Sequence, residues 1–204
     1  MATWKINTKS INEKVSKSKR FKRELDRRVN ALVEEKKQQL LAELEAHPVS
    51  QELNAGPQAK NTSGTLGGYG NLFSFIGFAS GARPVSSLAM LIKSAIKVNT
   101  IRGAKGEVKS KIANFTYKLK VPSKKEISIA TPMPWEGGSW AEGIETGISG
   151  FSFYMYKRFG GGRSGWGFQV DNELRMAVFQ PRKYVSELLD NFRKNVRGGA
   201  KNIK

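Results

Sequence analysis

Apolar residues recur at three- and four-residue spacings through the first long segment of the chain. Leu25, Val29, Leu32, Val33, Leu40, Leu41 and Leu44 form one stripe within the span from about Ile11 to Ala46. That period predicts a single long amphipathic helix. Its other faces are charged, and Asp26 with Asn30 and Glu34 with Gln38 are expected on solvated surface. The pattern stops after His47, because Pro48 disfavours the α conformation in the residue before it. A helix of this kind packs either on its own domain or on a neighbouring subunit.

Beyond it the pattern changes. Ser50 to Gly70 reads as a loop, with Pro57 and the cluster Asn61-Thr-Ser-Gly-Thr-Leu-Gly-Gly-Tyr-Gly. A loop of this length inside a compact domain often carries a function. Asn71-Leu-Phe-Ser-Phe-Ile-Gly-Phe is an apolar run bounded by glycines and predicts a buried strand. Val85 to Ile96 has helical spacing at Val85, Leu88, Leu91, Ile92 and Ile96, with Ser86 or Ser87 as its cap.

Strands are expected from Val98 to Thr131, joined by a basic loop at Arg102-Gly-Ala-Lys-Gly-Glu. Ile112, Phe115, Tyr117, Leu119 and Val121 come close to alternation, and Ile127-Ser-Ile-Ala predicts a hairpin partner across Pro122-Ser-Lys-Lys. Ser139 is placed to cap a short helix running to Ile148. Phe151 to Tyr156 and Trp166 to Val170 flank a Gly-rich tip and predict a second hairpin, followed by a short strand at Met176 to Phe179. Pro181 opens a final helix burying Tyr184, Val185, Leu188, Leu189 and Phe192, which Gly198-Gly199 ends.

Charge changes the picture most. The 204 residues include 35 Lys and Arg against 17 Asp and Glu, a formal charge of +18 at pH 7. Such a balance points to polyanions or acidic protein faces as partners. The cations fall in three regions, Lys14 to Arg28, Lys93 to Lys125, and Lys157 onward, whereas Thr131 to Gly150 carries Glu136, Glu142 and Glu145. Segments of opposite sign allow one copy to pair with another. The chain has no cysteine, so disulfides and thiolate metal sites are excluded. Met1 to Ser10 lacks the apolar core of a signal peptide, and no run approaches the ~20 apolar residues of a membrane helix. A cytoplasmically made protein without a membrane segment is expected.

Catalytic constellations are missing from the sequence. His47 is the only histidine, so histidine-centred triads and multi-histidine metal sites cannot form within one chain. Its expected place is a helix end, where partial positive charge suits the dipole. Gly64-Thr-Leu-Gly-Gly-Tyr-Gly lacks the Lys-Ser or Lys-Thr of a phosphate loop, and its glycines serve positive φ angles instead. Glu142 with Glu145, and Asp171 with Glu173, read as solvated surface. Lys109, Lys111, Lys118, Lys120, Lys124 and Lys125 near Phe115 and Tyr117 could form a basic face with stacking rings. Strand alternation, however, turns those aromatics toward the core.

Taken in order, these parts resemble the tail completion and head–tail joining (neck) proteins of long-tailed bacteriophages. The likeness lies in the helix Ile11 to Ala46, the Asn61-Thr-Ser-Gly-Thr-Leu segment and the strands from Val98. It continues in Trp140-Ala-Glu-Gly-Ile-Glu-Thr-Gly and Phe179-Gln-Pro-Arg-Lys-Tyr-Val-Ser-Glu-Leu-Leu. Leu72 to Ile96 and the basic loop near Gly103 stand as insertions in that pattern.

The resemblance implies an α+β fold: a long N-terminal helix, a small twisted antiparallel sheet packed by a helix, and a short C-terminal helix. The expected units are a basic helical arm (1–48), a core with inserted basic loops (49–197) and a flexible basic tail (198–204). The implied function is a non-enzymatic structural virion protein at the head–tail junction, assembled in the host cytoplasm. It would self-associate into a ring, commonly a hexamer, between the head connector or adaptor and the tail tube or sheath. Non-specific contact with DNA in the channel is possible on charge grounds, and no membrane, metal or cofactor is implied. The alternative is a basic nucleic-acid-binding module without enzymatic activity. Contact residues are expected in the basic loop, at Arg102, Lys105, Lys109 and Lys111, and at the glycine tip, at Gly160, Gly161, Gly162 and Arg163.

Overall fold

The computed structural model describes residues 18–67, 70–100, 107–109, 112–114, 116–134, 137–147 and 179–201. The first helix, α1, spans Lys19–Ala46 and is capped by Ser18, whose Oγ accepts from the Phe21 N–H. Residues 11–17 of the predicted helix lie outside the described residues. The predicted stripe is the buried one: Val29, Val33, Leu40, Leu41 and Leu44 face the core.

The chain does break at His47, but Pro48 also starts something. Proline suits the first turn of a helix, where its missing N–H costs nothing, and α2 runs over Pro48–Ala55. The expected loop from Ser50 is therefore helical to Ala55, and Gly56–Gln58 adds a 3-10 turn. The run after Asn71 is also helical where a strand was expected. In α3, Leu72–Ile76, the Asn71 side chain accepts from the Ser74 N–H at 2.9 Å. Gly77 closes the helix in the left-handed region at φ 83°. A cap on either side of five residues decides the conformation where periodicity is too short to show it.

The next helix, α4 (Pro84–Ala95), begins one residue earlier than expected and has Arg83 at its N-cap without a side-chain bond, so neither Ser86 nor Ser87 caps it. Strand β1 (Lys97–Thr100) pairs antiparallel with β4 (Tyr117–Lys120), and β2 (Glu107–Lys109) pairs with β3 (Ile112–Asn114). The near-alternating stretch from Ile112 is thus two strands, and β4 returns to β1 instead of pairing forward. Its predicted partner at Ile127 belongs to a helix, α5 (Lys124–Ala130). Ser123 and Glu126 form a reciprocal capping box there, and those two satisfied N–H groups outweigh the alternation of Ile127-Ser-Ile-Ala.

Ser139 caps α6 (Trp140–Thr146) as its spacing predicts. Ile148, the hairpin expected between 151 and 170 and most of the strand expected at 176–179 lie outside the described residues, although Phe179 itself is in no strand. The last helix, α7, spans Val185–Lys201 and starts after Tyr184, not at Pro181. It continues through Gly198 and Gly199. It packs antiparallel to α1, with Tyr184 beside His47 at one end and Gly199 beside Leu32 at the other. A Cβ on Gly199 would fall 2.7 Å from Leu32 Cδ1, so this glycine permits the close approach of the two helices and does not end one.

The architecture is α+β, as expected: a long first helix, a two-stranded antiparallel ribbon and a helix at the C-terminal end of the described chain. One core cluster draws Val33, Leu40, Leu41 and Leu44 of α1 together with Leu53, Phe73, Leu88, Ile92, Trp140 and Phe192. Each such side chain contributes about 1.5–3 kcal/mol by leaving water. Val98 and Leu119 pack the inner face of the ribbon against this cluster.

Candidate interaction surface

Alternation along β1 and β4 sorts their side chains onto two faces. Val98 and Leu119 point inward, while Lys97, Asn99, Lys118 and Lys120 are exposed. The register sets Lys97 directly opposite Lys120 and Asn99 opposite Lys118. Like charges directly opposite across a ribbon are destabilising, so this face is strained electrostatically when nothing anionic covers it. Part of the charge is offset internally: Lys120 Nζ lies 3.4 Å from Glu126 Oε1. The Ser123 backbone N–H, the Ser123 hydroxyl and then Lys120 hold the Glu126 carboxyl down at about 2.

The inner face explains where the aromatic ring goes. Tyr117 donates its hydroxyl to Asp26 Oδ1 at 2.9 Å, tying the ribbon to the first half of α1. Burial, followed by that bond to a carboxylate, pushes the phenol up to about 12. Tyr117 is therefore turned inward, as alternation requires, and among the described residues the outward face of β1 and β4 carries Lys97, Asn99, Lys118 and Lys120. Phe115 lies outside the described residues.

The neighbouring part of α1 adds to the same sign. Between Lys19 and Arg28 there are six cations (Lys19, Arg20, Lys22, Arg23, Arg27, Arg28) and two carboxylates, Glu24 and Asp26. Glu24 is held by Arg27 and Arg28, at 2.9 and 3.0 Å, and its carboxyl falls to about 2.

Of the sequence-predicted contact residues, Lys109 has its backbone in β2, paired with Ile112. That hairpin follows from the Thr100–Tyr117 end of the ribbon. Arg102, Lys105, Lys111, Gly160, Gly161, Gly162 and Arg163 lie outside the described residues. Sequence reading gathered Lys118 and Lys120 into a basic face but missed Lys97 and Asn99. Their signal was the alternation Lys-Val-Asn, which continues the surface only once β1 is known to pair with β4.

The opposite end of α1 has a different character. Glu145 of α6 accepts from the Tyr184 and Ser186 N–H groups at 3.1 and 2.7 Å, so it closes the start of α7 and is not merely solvated. Glu187 lies near enough to His47 to act on its imidazole. His47 Nδ1 accepts from the Val49 N–H at 3.2 Å, capping α2, which requires that nitrogen unprotonated. The expected role as a positive charge at a helix end is thus reversed. Burial lowers the imidazole pKa, and Glu187 only partly opposes the shift.

A group whose charged form is disfavoured by folding binds fewer protons folded than unfolded, so stability rises with pH across its window. The contribution of His47 is present above the ordinary imidazole value of about 6.5 and falls away as pH drops below it. The loss should be well under the ~1.4 kcal/mol of one full pKa unit, since the ring is only half-buried. Denaturation midpoints between pH 7 and 5 should fall less for His47→Asn, which keeps a capping acceptor without a proton site. Equal slopes for the two proteins would refute the assignment.

The long segment after α2 is held from below. Glu52 is fully buried, and its Oε2 accepts from the Ser63 N–H at 2.8 Å while Oε1 accepts from the Leu72 N–H at 2.6 Å. Ser63 and Thr65 bond through their hydroxyls at 2.8 Å, and the Asn61 side-chain Oδ1 accepts from the Gly64 N–H. The Asn61-Thr-Ser-Gly-Thr-Leu segment is a scaffolded turn whose Ser63 and Thr65 hydroxyls are buried, while Thr62 stays exposed. Among the described residues no helix is long and apolar enough to cross a membrane, and no group of three or more His, Asp or Glu side chains is placed to hold a metal ion.

No protein-family model, curated protein or solved structure matches this chain.

Proposed function

We propose that this chain is a non-enzymatic structural virion protein, a ring subunit of the phage neck that completes the tail and joins it to the head connector. The observation that carries the assembly reading is the lysine face of the β1–β4 ribbon. Lys97 and Lys120 stand in direct register, and an anionic surface laid over them removes a repulsion the isolated subunit carries. The order of elements carries the neck placement: a long first helix, a loop tied down beneath, a small antiparallel ribbon and a closing helix. Mass spectrometry of purified virions should detect the protein among the neck and tail components. Its absence from intact particles, with portal and tail-tube proteins present, sinks this reading.

The same lysines favour a second reading, a basic nucleic-acid-binding module. Tyr117 weighs against strand-face stacking, because its hydroxyl is bonded to Asp26 and its side chain is turned inward. Contact with DNA then rests on phosphates alone. Binding to a random duplex would fall with salt at a slope of about −0.9 per phosphate contacted. Tight binding with a steep slope, in a protein missing from virions, selects this alternative.

A further inference from the structure

The charges of this subunit are sorted along α1. The ribbon is fastened at Asp26, on the basic half. From Glu34 to Ala46 the helix carries Glu34, Glu35, Glu43 and Glu45 against Lys36 and Lys37. Where α1 ends, Glu145 and Glu187 gather around His47 and Tyr184, and Glu142 lies one turn before Glu145 on α6. Glu142 and Glu187 are both exposed. Asp26 and His47 are separated by about 30 Å of helix at 1.5 Å per residue. That is several screening lengths at physiological salt, so charges at the two ends of α1 interact only weakly through solvent.

We propose that the lysine face of the ribbon docks on the acidic end of a second copy of this chain, the end marked by Glu142 and Glu187. The contact is head-to-tail: two different patches meet, so the growing oligomer keeps one free patch of each sign at its two ends and addition continues until a ring closes. Other polyanions would satisfy the lysines, but only a second copy also uses the acidic end. Arg182 and Lys183 are exposed in the segment that leads into α7, and the contact is assigned to the exposed carboxylates Glu142 and Glu187. The inference rests on the reading of the chain as an assembly subunit, not on its place in a virion.

The test uses the full chain in two charge-reversed forms. One is Lys97→Glu with Lys118→Glu, which leaves Lys120 and its bond to Glu126 in place. The other is Glu142→Lys with Glu187→Lys, which leaves Glu145 in place. Light scattering after size exclusion, over a concentration series at low and high salt, reads the mass, with circular dichroism confirming that each form is folded. The unmodified chain should exceed its 22.6 kDa monomer mass at low salt and return to it at high salt. Each reversed form alone should remain monomeric. An equimolar mixture should assemble again, because the ribbon of each form then meets an end of opposite sign on the other form, and so should one chain carrying all four changes.

A wild-type chain monomeric throughout overturns the proposal. So do reversed forms that assemble like wild type, or a mixture that stays monomeric. Failure of the neck reading would appear separately, as a protein that assembles by charge yet is absent from virions.

Discussion

Glu52→Ala should destabilise the chain by about 2–6 kcal/mol, since two buried N–H groups each lose an acceptor at about 1–3 kcal/mol apiece. The carboxylate is fully buried, and its two oxygens satisfy the N–H groups of Ser63 and Leu72, which are nine residues apart in sequence. Alanine leaves both donors without an acceptor and opens a void between α2 and the turn above it. Glu52→Gln should cost less, about 2 kcal/mol, because the amide oxygen still serves one donor while its NH2 meets the other. Guanidinium denaturation followed by circular dichroism measures both. Hydrogen exchange adds a local readout: the Ser63 and Leu72 amides should lose protection well before those in the centre of α1. An alanine variant within ~0.5 kcal/mol of wild type, the usual spread of surface substitutions, would mean that Glu52 does not hold the turn.

That clamp also shows where sequence reading stops. A glutamate in an eight-residue helix, next to a polar segment, carries no local mark of burial; its partners come from a turn and a helix start further along. By contrast α1 was legible because seven apolar positions keep helical spacing over many turns, and Ser139 was legible because a cap lies beside the helix it starts. Pro48 and Gly199 each carry a local signal that two structures can satisfy. Pro48 ends one helix and begins the next, and Gly199 sits mid-helix because Leu32 leaves no room for a Cβ. At Leu72–Ile76 the apolar run was too short for any period to appear, and the caps at Asn71 and Gly77 were the deciding signal. Ser123 and Glu126 have the spacing of a capping box, and that local signal decides the conformation over the alternation that follows them.

The candidate surface divides in the same way. The basic character of the stretch from Lys93 to Lys125 was legible from composition. The opposition of Lys97 and Lys120 was not, since it depends on a pairing closed over more than a dozen intervening residues. Loop-closing contacts of that kind leave no periodic trace along the chain. The same holds for the acidic end, where Glu145 of α6 meets the Tyr184 N–H and Glu187 of α7 comes near His47, from far apart in sequence.

Tyr184 is the second position where a large effect is expected. Its side chain is fully buried, its ring lies 4.8 Å from that of His47 and 6.3 Å from Trp140, and its hydroxyl shares a 2.6 Å bond with the buried Ser50. Tyr184→Ala should therefore cost about 3–5 kcal/mol, as for other large-to-small changes in a packed core. Tyr184→Phe separates the packing from the bond. It keeps the ring but strands the Ser50 hydroxyl away from water, for about 1–2 kcal/mol. Ser50→Ala added to Tyr184→Phe should recover much of that loss, because removing both members of a buried pair leaves no orphan. A double variant as unstable as the sum of its parts would show that the bond is not the source of the effect. The site also bears on assembly, since Tyr184 seats the start of α7 against α1 and its backbone N–H is held by Glu145. Tyr184→Ala should weaken salt-sensitive self-association without altering a single charge, whereas Tyr184→Phe, with the backbone still seated, should leave it unchanged.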